Sequence, residues 1–157
     1  MIEFIMQPTL NTCMATCISM CTGLDLNEVI ESAHEDYISA SIGTLPVYFK
    51  YLKSKNIPFD DLEPIVGQQI DFEVGYYYIL CVPSPATEGM LHGVVLDCSD
   101  CEEEWKILDP LKGWGKKYYE WSPWSREIDA IDINELDSLG VDFRFKISDL
   151  ESAKLNQ

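Results

Sequence analysis

The stretch Gln7-Pro8-Thr9-Leu10-Asn11-Thr12-Cys13-Met14-Ala15-Thr16-Cys17 decides how the chain is read, because it sets a glutamine six residues ahead of a cysteine where a helix should begin. Asn11 or Thr12 can cap that helix, which runs from about Cys13 to Met20 and stops at Thr22-Gly23. A helix start carries unpaired backbone N–H groups and a partial positive charge. Both favour the thiolate form of a cysteine placed there. Gln7, on the approach loop, can turn a side-chain amide N–H toward the oxyanion that develops when a thiolate adds to a carbonyl. Thiol chemistry of this kind also needs a base, and the chain holds only two histidines.

His92 is the candidate base. It opens Leu91-His92-Gly93-Val94-Val95-Leu96-Asp97, a strand pattern in which the small Gly93 leaves room for the helix end. The next β-rich run, Trp105-Lys106-Ile107-Leu108-Asp109-Pro110, is joined to it by the polar turn Cys98-Ser99-Asp100-Cys101. A turn centred between Asp100 and Cys101 sets His92 directly opposite Asp109. Opposed residues on one sheet face have Cβ atoms about 4.5–5.5 Å apart, close enough for a carboxylate to hold an imidazole N–H. A slip of one residue would send the two to opposite faces. Asp97, five residues from His92 on the same strand, falls on the other face. A neutral imidazole, with an ordinary pKa of about 6.5, is expected to take the thiol proton and return it to the leaving group. His34, among Glu31, Glu35 and Asp36, reads as a solvated surface residue.

The rest of the chain reads as helices first and strands after. Asp25 and Glu28 form a capping-box pattern ahead of Leu26, Val29, Ile30 and Ala33 at helical spacing. Thr44-Leu45-Pro46 opens a third helix carrying Tyr48, Phe49 and Leu52, which Asn56 ends. Strand patterns follow at Tyr76 to Val82, Leu91 to Asp97, Glu104 to Leu108 and Val141 to Ile147. This order predicts an α+β domain of two layers, the helical half supplying Cys13 and the sheet the remaining chemistry. Cys13, Cys17 and Cys21 share a helix face, and the latter two read as small core residues. The aromatic cluster Trp114, Tyr118, Tyr119, Trp121 and Trp124 reads as core or as cover for the sheet.

Composition narrows the classes of function. Eleven Lys and Arg against 27 Asp and Glu leave a net charge of −16, a field that repels phosphate backbones and anionic membranes, so nucleic acid is not expected as a partner. The longest apolar runs, such as Tyr76-Tyr77-Tyr78-Ile79-Leu80-Cys81-Val82, fall far short of the roughly 20 residues a membrane helix needs. Met1-Ile2-Glu3-Phe4-Ile5-Met6 lacks the basic and apolar regions of a secretory signal, which points to a cytoplasmic protein with its six cysteines as thiols.

Gln7, Cys13, His92 and Asp109-Pro110, in that order and at those separations, resemble the papain-like cysteine peptidases and, within them, the C39-like peptidases that cleave double-glycine leaders. The resemblance spans about residues 5–115. It implies a papain-like α+β fold across residues 1–157 as a single domain, an N-terminal helical half packed on a C-terminal antiparallel β-sheet. It implies a peptide or protein substrate, Cys13 as nucleophile, His92 as base, Asp109 as orienting carboxylate and Gln7 as oxyanion donor. No cofactor or metal is called for. The chain departs from the pattern at Met14, where these families commonly carry glycine or tryptophan after the nucleophile.

Three other readings stay open on sequence. A glutamine deamidase or an acyltransferase uses the same residues with a different acceptor or bond. A catalytically inactive protein of this fold would use its acidic surface to bind a basic partner. A zinc-dependent module would draw on Cys98-x-x-Cys101, although no second pair of suitable spacing completes a tetrahedral site.

Overall fold

The computed structural model describes residues 2–34, 45–62, 71–123, 127–137 and 139–155. Helix α1 (Cys13–Thr22) is small and apolar on every side, and all of it beyond Cys13 is buried. Its buried threonine hydroxyls turn back on the helix backbone, Thr16 donating to the Thr12 carbonyl at 2.8 Å and Thr22 to that of Ile18 at 2.7 Å, while Ser19 donates to the Leu24 carbonyl just beyond the helix. Gly23 closes the helix at φ 76°, a left-handed conformation in which its N–H returns to the Ser19 carbonyl at 2.9 Å. Asp25 caps α2 (Leu26–Val29) by accepting the Glu28 N–H at 3.1 Å. A π-turn over Ile30–His34 follows without a break. Helix α3 (Leu45–Ser54) carries Pro46 in its first turn and buries Tyr48, Tyr51 and Leu52. The chain turns at Asn56, where φ is 57°.

Strands β1 (Tyr76–Pro83), β2 (Leu91–Cys98), β3 (Lys106–Leu108) and β6 (Gly140–Lys146) form an antiparallel sheet in the order β3-β2-β1-β6. Side-chain alternation sends Tyr77, Ile79, Val95, Phe143 and Phe145 to one face, where they pack with Ile18, Val29 and Leu52 from the helices. Tyr78, Leu80, Val94 and Leu96 go to the other face. There β4 (Tyr118–Glu120) and β5 (Ala130–Asp132), a parallel pair, and a 3₁₀ turn over Ile133–Glu135 close the second core through Tyr119 and Ile133. The mixed helix-and-sheet expectation holds. The two-layer expectation gives way to three, because both faces of the central strands are apolar and both need cover. A last helix, α4 (Ile147–Leu155), takes up the chain from β6 and seats Leu150 in the helix-side core.

Four local expectations are corrected. Strand β3 begins at Lys106, because Glu102–Glu104 winds into a 3₁₀ turn that lengthens the connection from β2. Strand β6 ends at Lys146, and Ile147, whose N–H meets the Gly75 carbonyl at 2.9 Å, starts α4. The helix expected to continue through Ala33 widens into a π-turn. That same wider winding places His34 beside Ala33 on the buried side, 6% exposed, so His34 is not a solvated residue. The expectations for Glu35, Asp36, Thr44 and Trp124 lie outside the described residues. No described helix is long and apolar enough to cross a membrane.

Candidate active site

Cys13 is the first residue of α1 and remains partly exposed, whereas Cys17 and Cys21 on the same face are buried. Thr12 takes the N-cap position, but its hydroxyl is engaged backward with Thr9: it receives the Thr9 N–H at 3.1 Å and donates to the Thr9 carbonyl at 3.0 Å. The cap expected from Asn11 or Thr12 is therefore withheld from the helix. The first backbone bond into α1 runs from Thr16 N–H to Thr12 O at 3.0 Å, and no described group accepts from the N–H groups of Cys13, Met14 or Ala15. An uncapped helix start leaves its unpaired N–H groups and partial positive charge beside a partly exposed thiol.

Strand β2 brings the second group. His92, 4% exposed, lies opposite Val82 of β1, while β3 has already ended at Leu108. Gly93 follows it and faces α1. A Cβ there would lie 3.8 Å from Met14 Cε, 3.9 Å from Cys17 Sγ and 4.0 Å from Cys13 Sγ, so helix and strand meet with room for a methyl group and no more. Cys17 donates its S–H to the Gly93 carbonyl at 3.4 Å, which fixes that approach.

His92 Nε2 meets Asp109 Oδ1 at 2.6 Å, and both side chains are almost wholly buried. The pairing is reached by a register other than the turn-centred one. Val95 opposes Leu108 and Asp97 opposes Lys106, a slip of two residues from a turn centred between Asp100 and Cys101. An even slip preserves the face, so the contact survives as a diagonal one across the end of the strand. Asp97 lies on the other face and accepts the Ser99 N–H at 2.9 Å. Asp109 also accepts the N–H of Leu111 at 2.9 Å and that of Tyr119 at 2.8 Å. Three donors converge on one buried carboxylate, whose own backbone carbonyl shapes the turn by accepting from Lys112 N–H at 2.9 Å.

With Nε2 given to Asp109, Nδ1 is the ring nitrogen left on the Cys13 side, and Cys13 is near enough to act on the charge of the ring. Burial opposes charge on His92, but the hydrogen bond to Asp109 and the negative charge of Asp109 and Cys13 outweigh it and push the imidazole from 6.5 up to about 9. The net effect favours the protonated ring. The ring is held above the ordinary imidazole value expected for it, because the carboxylate behind it is dry and close.

Gln7 is fully buried beside this array. Its backbone N–H meets the Pro110 carbonyl at 2.9 Å, and its carbonyl accepts Trp114 Nε1–H at 2.8 Å. Its side-chain nitrogen donates to the Thr9 carbonyl at 2.7 Å, which leaves one N–H of the amide uncommitted, and Oε1 is buried without a partner. Gln7 is therefore tied to the loops that carry Cys13 and Asp109, with half its donor capacity spent on Thr9.

Sequence reasoning missed the backbone of Tyr119 and Leu111 as holders of Asp109, and Trp114 as holder of Gln7. Main-chain donors leave no residue-type signal, and Trp114 was legible only as part of an aromatic cluster. Cys98 is buried at the end of β2, Cys101 is exposed, and both are free thiols. No group of three or more candidate ligands that could hold a metal forms among the described residues. The chain is thus a mixed α+β protein with a Cys–His–Asp array at one helix start. Comparison with known protein families, curated proteins and solved structures finds no match to it.

Proposed function

We propose that this chain is a papain-like cysteine peptidase, nearest in layout to the C39-like group, acting in a reducing compartment on a peptide or protein substrate. The observation that carries the reading is the buried His92 bridging Cys13 and Asp109 at an uncapped helix start. The Cys13 thiolate attacks the scissile carbonyl, and the oxyanion forms against the first-turn N–H groups of α1, with the remaining Gln7 N–H as a further donor. The intermediate collapses, the C–N bond breaks, and the His92 imidazolium gives its proton to the departing amine. His92, now neutral, takes a proton from water as that water attacks the thioester. Cys13 leaves as thiolate and the acid product departs. Asp109 keeps Nδ1 aimed at sulfur throughout and stabilises the imidazolium between steps.

A peptide substrate is favoured over a small polar one by the rim. Met6, Leu10, Met90 and Leu91, all within three residues in sequence of Gln7, Cys13 or His92, are between 49% and 73% exposed. Apolar side chains left in water on both approaches to a thiol suit the docking of an extended, partly apolar chain.

The test is the pH dependence of iodoacetamide alkylation at Cys13, located by mass spectrometry, in wild type and His92→Ala. Fast labelling below neutral pH that slows on loss of His92 is the expected result. Labelling no faster than an ordinary thiol with a pKa of about 8.5 would sink the catalytic reading and leave a binding protein. Peptide-library cleavage that disappears in Cys13→Ala then separates a peptidase from a deamidase or an acyltransferase.

A further inference from the structure

The middle of β1 is buried from Tyr77 to Val82 except at Cys81. The cause lies in its row of the sheet: Cys81 is paired with Gly93 on β2 and Gly140 on β6, and neither neighbour has a side chain to cover it. A Cβ on Gly140 would lie 3.5 Å from that of Cys81, and one on Gly93 would lie 4.0 Å from Cys13 Sγ. The row is a low shelf that starts beneath the nucleophile and crosses three strands, about 10 Å at ordinary strand spacing.

At the outer strand the pairing slips. Ile79 opposes Phe143 and Leu80 opposes Val141, which leaves Asp142 as the extra residue of a β-bulge. Asp142 is mostly withdrawn from water, yet it has no hydrogen bond and no ion pair with any described residue. Its charge acts on Cys81 and on Cys17, the two thiols that flank Gly93. Burial alone lifts its carboxyl from 3.8 to about 6, the state of a carboxylate that lacks a partner cation.

We infer that the shelf Gly93, Cys81 and Gly140, with Asp142 at its far edge, is a subsite for a cationic substrate side chain, an ammonium or guanidinium. The inference rests on the reading of Cys13 as nucleophile. The glycine row admits the aliphatic stem, and Asp142 meets the charge. A net charge of −16 draws such substrates in, and the unpaired, half-dry Asp142 carboxylate gains by their arrival.

The test uses two chloromethyl ketones that differ only in side chain, lysyl and norleucyl. Each forms a C–S bond with the Cys13 thiolate and expels chloride. Rates are read by peptide mapping at Cys13 and taken relative to iodoacetamide on the same variant. Wild type should react about tenfold faster with the lysyl reagent, the worth of one partly screened charge pair, and Asp142→Asn should bring the two within about twofold. Glu104→Gln, an equal charge change on the exposed 3₁₀ turn, should keep the preference. Equal rates in wild type, or a preference that survives Asp142→Asn, would overturn the subsite. Should Asp142→Asn fail to fold, Cys81→Leu fills the shelf while leaving every charge in place. It must slow both ketones relative to iodoacetamide, and unchanged rates would equally overturn the inference. Slow iodoacetamide labelling with the lysyl preference intact would instead remove the peptidase reading and leave the cation site standing.

Discussion

His92 Nε2 and Asp109 Oδ1 lie 2.6 Å apart with side chains 3% and 0% exposed, a dry contact in which each group is the other's main compensation for burial. Removing one partner leaves the other charged and unpaired. Asp109→Ala should therefore cost about 3–5 kcal/mol in urea unfolding, as broken buried pairs do. Asp109→Asn keeps the shape and an acceptor oxygen, so its stability loss should be the smaller. Its activity should still fall by about 100-fold or more, because an amide can turn an N–H toward Nε2 and no longer stabilises the imidazolium. Equal activity in Asp109→Asn and wild type would remove Asp109 from the mechanism.

The same contact sets a pH window. The folded state holds the His92 proton more tightly than the unfolded chain, with the ring raised from 6.5 to about 9. Its stabilising contribution is complete below pH 6.5 and is lost as pH rises through about 9. Asp142 also binds its proton more tightly when folded. Its contribution is complete below 3.8 and lost as pH rises through about 6. Urea midpoints should fall across both windows, with His92→Gln flattening the upper and Asp142→Asn the lower. Hydrolysis should fail on the alkaline side with an apparent pKa of about 9, where the ring loses the proton that the leaving amine needs.

Which parts of this were legible beforehand follows from the range of the interactions. The helix start at Cys13, the strand at Leu91 and the stops at Gly23 and Asn56 rest on signals within a few residues, and all are present. The His92–Asp109 contact was legible because parity, not register, decides the face. The turn centre was misplaced, and a two-residue slip still left both groups together. The state of His92 was not legible, since it depends on how dry Asp109 is and on backbone donors from Leu111 and Tyr119. The β4–β5 cover hid in an aromatic, acidic segment because three-residue strands carry too little periodicity to read.

Cys13 and Cys17 sit one helical turn apart and should separate cleanly by substitution. Cys17 is fully buried and its thiol holds the Gly93 carbonyl, so Cys17→Ala should destabilise by about 1–2 kcal/mol through a small cavity and a lost bond. Activity per folded molecule should persist. Cys13→Ala, at a half-exposed position, should leave the unfolding midpoint within about 0.5 kcal/mol and abolish hydrolysis. The reverse pattern would make Cys13 a packing residue.

Gly93 offers the finest control of the site, because it sets how near α1 comes to the strand that carries His92. A methyl group there meets Met14, Cys17 and Cys13 at 3.8–4.0 Å, ordinary contact that needs no movement. Gly93→Ala should therefore fold with stability near wild type. A β-branched side chain has no such space, and Gly93→Val must push the helix start outward, away from His92. Overpacking of this kind costs about 1–3 kcal/mol in stability. The displacement should cost more in function, since a misplacement of about 1 Å between reacting groups is worth about 100-fold in rate. Iodoacetamide labelling of Cys13 in Gly93→Val should then lose its dependence on His92, while the alanine variant retains it. Retention of that dependence in the valine variant would mean that the sheet-to-helix approach at Gly93 does not position the thiol.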